Sequence, residues 1–545
     1  MTEQITGGEA MVRAAAANGT DTIFGLPGAQ IYPLFDAIYR DPNIKDVISR
    51  HEQGAGYMAL GYAQATGKTG VFSVVPGPGL LNAGAALCTA DGVNVPVVCL
   101  TGQVMSEFLG KGRGHLHELR DQQGYLRSII KHVDHIADPT NTSAQVNEAF
   151  RQARSGRPGP ASVEMCWDTM AKTFDVDIEP GVGEIATPEV NLDAVKDAAR
   201  LVAGAKNILI MVGGGARHAS AEVRELAEML GAAVTSFRGG RGVVAEDHPC
   251  GTSSAAGRLL WEDTDLLIGI GSRLELQYMR WGPWDHYVDS PPEGGAKVIR
   301  IDIDPDEMTR FKPHAGVIAD ARDGTRALID EIGKTGHNAG DRERIAEAKA
   351  TAHKNIREIQ PQMDYLDMMR DVMPRDAFFV EDLCQVGFAS NFGFEIYEPR
   401  TYVTTGYQGS LGYGFPTALG VKVGMPERAV VSIIGDGGFL FGMPELASAV
   451  QQNIGVVTVI FNNSSYGNVR RDQQRLYDGN IIGADLDNPD MVKLAESFGA
   501  DAYRADSPDS LRPLLEKAID NDRPAVIDVT IERGSETSPW KYIVG

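Results

Sequence analysis

Short oily runs alternate with helix-length stretches along the whole chain, and this alternation limits the fold more than any other feature. Strand-like runs stand at 71–75, 95–102, 160–165, 207–215, 265–271, 297–305, 376–382, 430–434, 456–461 and 523–531. Strands separated by helical crossovers predict parallel α/β sheets. At 545 residues the chain exceeds one core and calls for several domains. Segment 175–191, "DVDIEPGVGEIATPEVN", carries Pro and Gly without periodicity and reads as a linker. Segment 333–360 is charged on most faces and is expected to be a solvated connector. The expected partition is 1–175, 190–335 and 360–545, each a parallel sheet flanked by helices, the second Rossmann-like.

The formal charge of −22 argues against nucleic acid and anionic membrane as partners, since both reward clustered Lys and Arg. Five cysteines stand singly with no Cys-x-x-Cys, so neither a zinc ribbon nor a disulfide framework is expected. No basic segment precedes an apolar run at the start, and no apolar stretch nears the ~20 residues of a membrane span. A cytoplasmic protein is expected.

The chemistry concentrates in "VVSIIGDGGFLFGMPELASAVQQNIGVVTVIFNNSSYGNVR", 430–470. Two buried strands end in polar atoms, Asp436 within Gly-Asp-Gly and the pair Asn462-Asn463. The twenty-four residues between Gly437 and Asn462 allow one helical crossover. Parallel sheets collect ligands at the carboxyl ends of their strands. A carboxylate, an amide oxygen and a nearby carbonyl are hard donors suited to Mg²⁺ when phosphate oxygens complete the shell. Gly437 and Gly438 let backbone N–H groups approach a phosphate. Turns favour the same residue types, so either motif alone also reads as a turn.

"GDG" followed at this distance by "NN" resembles the signature of thiamine-diphosphate enzymes. The three-domain partition is similar to that of the acetolactate synthase, pyruvate oxidase and benzoylformate decarboxylase branch, across nearly the whole chain. The resemblance makes the three domains pyrimidine-binding, central and diphosphate-binding. It implies that Asp436, Asn463 and the backbone carbonyl of Ser465 ligate Mg²⁺. It also implies a catalytic glutamate in "RHEQGAG", which is Glu52. A carboxyl at the pyrimidine N1′ favours the imino tautomer that activates thiamine's C2–H. Locally, Ser49 to Glu52 equally fits a helix capping box.

Other positions follow from the same resemblance. Leu411 stands where an apolar residue props the cofactor into its V shape, and the carbonyl of Gly409 faces its 4′-amino group. Without the family, "TTGYQGSLGYGFPTALG" reads as a Gly-rich turn with Leu411 in the core. Gln385 is a candidate contact on the diphosphate side, and Tyr466 is a candidate cofactor contact. Pro27, Pro76 and Asn82 are candidates in the pyrimidine pocket. The glutamate domain of one subunit is expected to face the diphosphate domain of another, in a homodimer or homotetramer.

The reaction is less legible. In the resemblance, synthases carry Phe-Gln where this chain has His117-Glu118, and Trp where it has Asp472. His117 is a candidate acid–base group, His115 a weaker one, and Arg470 or Arg471 can hold a substrate carboxylate. The resemblance implies a 2-oxo acid or related carbonyl substrate, in an acetolactate synthase-like carboligase. The alternatives are a non-oxidative decarboxylase of longer or polar 2-oxo acids and an acyl-CoA-type lyase. Segments 212–220 and 271–282 lack a GxGxxG and the flavin-contacting pattern, so FAD is not expected. "IDIDPDE" (301–307) reads as a helix start with Pro305 at its first position. The tail 534–545 is expected either to fold over the site or to be mobile.

Overall fold

The computed structural model describes residues 2–281 and 288–543. Each expected unit contains a six-stranded sheet with parallel pairing throughout. The first runs Lys45–Ile48, Thr22–Gly25, Gly70–Val74, Val97–Gln103, Ala161–Cys166, His132–Ile136 across the sheet. The second is built around Ile208–Val212 and Leu266–Ile270, and the third around Phe378–Glu381 (β1), Val430–Gly435 (β2) and Val457–Asn462 (β3). The central strands are buried along their length, as the unbroken Val and Ile runs require. One antiparallel pair, Glu3–Thr6 with Thr173–Val176, ties the chain start to the end of the first unit.

Six helices position the site. They are α1 (Glu52–Thr66), α2 (Gln385–Gly393), α3 (Gly414–Gly424), α4 (Asp436–Gly442), α5 (Glu445–Gln451) and α6 (Gly467–Leu476). α1 and α3 bring the first and third units together, backbone nearly on backbone. A Cβ on Gly420 would stand 1.8 Å from the Met58 carbonyl oxygen, and one on Gly61 would stand 2.0 Å from that of Thr417. Beside this contact Tyr57 and Tyr413 meet edge to face, with centroids 5.4 Å apart.

Several local expectations are corrected. The crossover between β2 and β3 is not one helix but two, α4 and α5, broken at Met443-Pro444. Proline has no N–H to donate and crowds the carbonyl four residues back. The stretch 333–360 is not solvated on all sides. Its helix Arg342–Ile356 buries Ile345, Ala348, Ala352 and Ile356 along one stripe, two of them small enough to be missed in a charged sequence. Helix Glu307–Arg310 is led in by a turn through Pro305, where Asp304 Oδ1 accepts from the Asp306 N–H at 3.0 Å and the Asp304 carbonyl from the Glu307 N–H at 3.1 Å, as expected. The capping box at 49–52 is absent. Ser49 is buried and donates to the Gly25 carbonyl at 3.3 Å, while His51 caps α1 by accepting from the Gln53 N–H.

Candidate active site

In the third sheet the chain leaves β1 toward one edge and returns to place β2 on its other side. Ligands bind at such switch points, outside the strand ends. A cavity of about 200 Å³ opens there. Its walls come from the segment after β1 (Leu383, Cys384, Gln385), from Gly435–Gly438 after β2, and from Asn463, Ser465 and Tyr466 after β3. Leu411 lines it too. Gly409 stands just outside at positive φ, its N–H donating to Thr405 Oγ1 at 2.9 Å.

Burial raises the pKa of the Asp436 carboxyl; hydrogen bonds from Asn488 and from backbone N–H groups, those of Gly437 and Asn463 among them, oppose it. The bond from Asn488 Nδ2 is 2.6 Å long. The two strand ends lie side by side, Gly435 opposite Phe461. Asn463 Oδ1 accepts from the N–H and the hydroxyl of Ser465, at 3.1 and 2.9 Å. Gly437 has no room for a side chain, since a Cβ would lie 2.4 Å from the Tyr466 ring. Gln385 is buried at the start of α2, and its Oε1 has no partner among the described residues. Unpaired buried polar atoms are costly, and one facing a cavity marks a place for a ligand.

Sequence reasoning named neither of two side chains that bond Asp436 and Asn463 here. Glu536, from the tail, closes the cavity by accepting from Asn463 Nδ2 at 2.6 Å, and burial pushes its carboxyl up to about 7. The tail thus folds over the site, although residues 544–545 lie outside the described residues. Asn488 belongs to a loop after the second motif. Nothing in the local pattern of either residue separates it from the polar residues of a solvated loop.

The glutamate side forms a second cluster, in the first unit. Its sheet reverses between Thr22–Gly25 and Gly70–Val74, and the loops after these strands carry Pro27 and Pro76. Pro27 is exposed and Pro76 buried. Glu52 Oε2 accepts from Asn82 Nδ2 at 3.0 Å, and Glu52 Oε1 borders Gly79. His117 sits at positive φ, with its carbonyl against Gly77 and its Nδ1 bonded to Gln30 Oε1 at 2.8 Å. Gln122 pins the same turn by accepting from Gly77 N–H at 3.0 Å and donating to buried Glu164 at 2.6 Å. Glu118 accepts from Gly112 and His115 N–H groups and so folds its own loop. His115 stacks on Phe108.

Within one chain these two clusters do not join. None of Glu52, Pro27, Pro76, Asn82 or His117 lines the Asp436 cavity. Arg470 is taken by Asp485 at 2.7 Å, and Arg471 lies over the Trp540 ring while donating to Asn468. A separate cavity of about 420 Å³ opens at the reversal point of the central sheet, where Gly213–Gly215 approach Gly271. Arg217, Arg273 and Arg400 line it, and burial lowers Arg217 to about 10. Of the segment read for a flavin, Gly282 lies outside the described residues.

Three family models match the chain. The thiamine pyrophosphate enzyme N-terminal TPP binding domain covers residues 5–125, the central domain 195–328 and the C-terminal TPP binding domain 383–529. The chain belongs to the thiamine pyrophosphate enzyme family. Among relatives of this thiamine pyrophosphate enzyme, the acetolactate synthase large subunit of Corynebacterium glutamicum is 32% identical over 99% of this chain and 89% of its own. The acetolactate synthase of Arthrospira platensis is 32% identical over 98% of this chain and 96% of its own. A Pseudomonas aeruginosa protein titled "Probable 2-ketoarginine decarboxylase AruI" is 31% identical over 91% of this chain and 88% of its own. Among the described residues no helix is long and apolar enough to cross a membrane.

Proposed function

We propose that the chain catalyses Mg²⁺- and thiamine-diphosphate-dependent cleavage and ligation of the bond beside a 2-oxo acid's carbonyl, as an acetolactate synthase-like carboligase. The observation that carries this reading is the meeting of Asp436, Asn463 and Ser465 in one cavity at the ends of adjacent parallel strands. Nearly full-length likeness to proteins named acetolactate synthase supports the reaction class.

The residues fit the cofactor. Asp436, Asn463 Oδ1 and the Ser465 carbonyl would hold Mg²⁺ through oxygen donors alone, a set that suits this hard cation beside a phosphate. Gly437, Gly438 and Gln385 would take the diphosphate, and Gly409, Leu411 and Tyr466 the thiamine. Glu52, with Pro27, Pro76 and Asn82, would take the pyrimidine. Once bound, thiamine diphosphate supplies a nucleophilic carbon and an electron sink. Asn82 holds one Glu52 oxygen and leaves Oε1 for a proton shared with a ring nitrogen. Gln30 holds His117 at Nδ1 and leaves Nε2 to move a proton at the substrate. The chemistry is redox-neutral and calls for no flavin redox step.

The domains are assigned as pyrimidine-binding (1–175), central (190–335) and diphosphate-binding (360–545), in a cytoplasmic homodimer or homotetramer. A cavity of about 200 Å³ falls below the ~300 Å³ at which ligand pockets usually begin. That size, and the absence of Glu52 from its lining, support a site completed by the glutamate domain of a second chain.

A second reading, decarboxylation of a longer or polar 2-oxo acid, is favoured by the likeness to the protein titled a 2-ketoarginine decarboxylase. Incubation with pyruvate alone separates the two. Acetolactate supports the carboligase, whereas refusal of pyruvate with CO₂ release from a basic or longer 2-oxo acid supports the decarboxylase. No thiamine-dependent CO₂ release from any 2-oxo acid would sink both.

A further inference from the structure

We propose that Glu445 is a positioning residue for Glu52, holding across the domain boundary the backbone from which α1 starts. Glu445 opens α5, nine residues after Asp436 on the same crossover, yet it reaches the other domain. Its Oε1 accepts from the Arg50 N–H at 3.1 Å and the His51 N–H at 2.9 Å, and its Oε2 accepts from the Arg50 N–H at 3.0 Å. Ser448 Oγ donates to Oε2 at 2.8 Å and fixes the carboxylate from behind.

The carboxylate is 1% exposed, and the bonds are charge-assisted, the stronger class of hydrogen bond. Gly54 leaves the space it occupies, since a Cβ there would lie 2.3 Å from Glu445 Oε1. Two further α5-side contacts act on the same segment: Arg50 donates to Gln451 Oε1 at 2.6 Å, and Gln452 donates to the Ile48 carbonyl at 3.0 Å. Glu52 follows directly on the two held peptides. A shift of these N–H groups therefore moves the Glu52 Cα, and small misplacements of a reacting group lower rates by up to about a hundredfold.

The inference rests on the proposed role of Glu52 and on the site being shared between chains. It has an unusual consequence: Asp436 and Glu445 lie on one crossover but serve different sites. Asp436 serves the cavity of its own chain, while Glu445 serves the Glu52 that its chain lends to a partner.

The test uses holoenzyme of Glu445→Gln, with Gly54→Ala as a second variant that disturbs the same contact without altering the carboxylate. Deuterium exchange at the cofactor's C2 is expected to slow by about ten- to a hundredfold, with cofactor affinity within threefold of wild type. Exchange within twofold of wild type in both variants overturns the proposal. Mixed assemblies then locate the defect. Glu445→Gln chains paired with Asp436→Ala chains should recover activity, because one site joins an intact glutamate side to an intact cavity. Paired with Glu52→Gln chains they should not. The reverse pattern places the defect at the cavity, and no recovery in either pair makes it global; either overturns the proposal. The Asp436→Ala with Glu52→Gln pair is the control. If it fails to recover activity, the shared site is wrong and the exchange rates alone decide. Full turnover in Glu52→Gln alone would instead sink the proposed function.

Discussion

Asn82 donates its amide to Glu52 Oε2 at 3.0 Å, across the turn that leaves the third strand of the first sheet. The bond fixes which carboxylate oxygen is free. Asn82→Ala is expected to lower kcat by about tenfold, in the range of a lost positioning contact, with the Mg²⁺ requirement unchanged. Glu52→Gln should lose turnover while keeping diphosphate binding. A cofactor titration beside the rate assay checks both, and wild-type rates in Glu52→Gln would remove it from the mechanism.

Asp436 is the one carboxylate in the proposed donor set, and Asn488 is its hydrogen-bond partner at 2.6 Å. Asp436→Ala should abolish Mg²⁺-dependent cofactor binding. Asn488→Ala should weaken it about 10- to 100-fold, as outer-shell losses do. Calorimetric titration of cofactor at several Mg²⁺ concentrations reads both. Unchanged affinity in Asp436→Ala would refute the metal site.

The α1–α3 contact predicts a stability difference between two helical glycines. Gly420→Ala forces a methyl against the Met58 carbonyl and should destabilise by about 1–3 kcal/mol or more. Gly333, in helix Ala321–Thr335, has open space around it, so Gly333→Ala should be neutral or stabilising by up to about 1 kcal/mol. Urea unfolding of the two variants provides the comparison.

Glu381, at the end of β1, is buried, and burial pushes its carboxyl up to about 8. The unfolded chain releases this proton near pH ~4.3. Between these values the folded state binds more protons, so stability falls as pH rises and levels off above about 8. Glu381→Gln removes that contribution. The pH slope should be flatter in the variant by up to ~1.4 kcal/mol per pH unit between pH 5 and 7.5. Equal slopes would show that Glu381 ionises freely in the folded protein.

Much of the architecture was legible because parallel strands buried on both faces announce themselves. Val430–Gly435 and Val457–Asn462 are oily runs that stop at polar residues. Local chemistry misled where backbone geometry decided. Ser49 has the composition of a cap, but the strand before it carries the residue into the core, and His51 caps instead. Arg342–Ile356 looked solvated because alanine can line a packed stripe without raising the apolar content.

By itself the sequence determined the strand–crossover pattern, and with it the placing of Asp436 and Asn463 at neighbouring strand ends, because residues at the end of a strand go where its hydrogen bonding sends them. Tertiary structure alone decided which side chains hold these residues and the backbone before Glu52. Glu536 comes from the far end of the chain, Asn488 from a loop, and Glu445 from a different domain than the backbone it holds. A contact between residues 52, 73 or 394 positions apart leaves no local periodicity, since it depends on how rigid units pack and not on the spacing of neighbours.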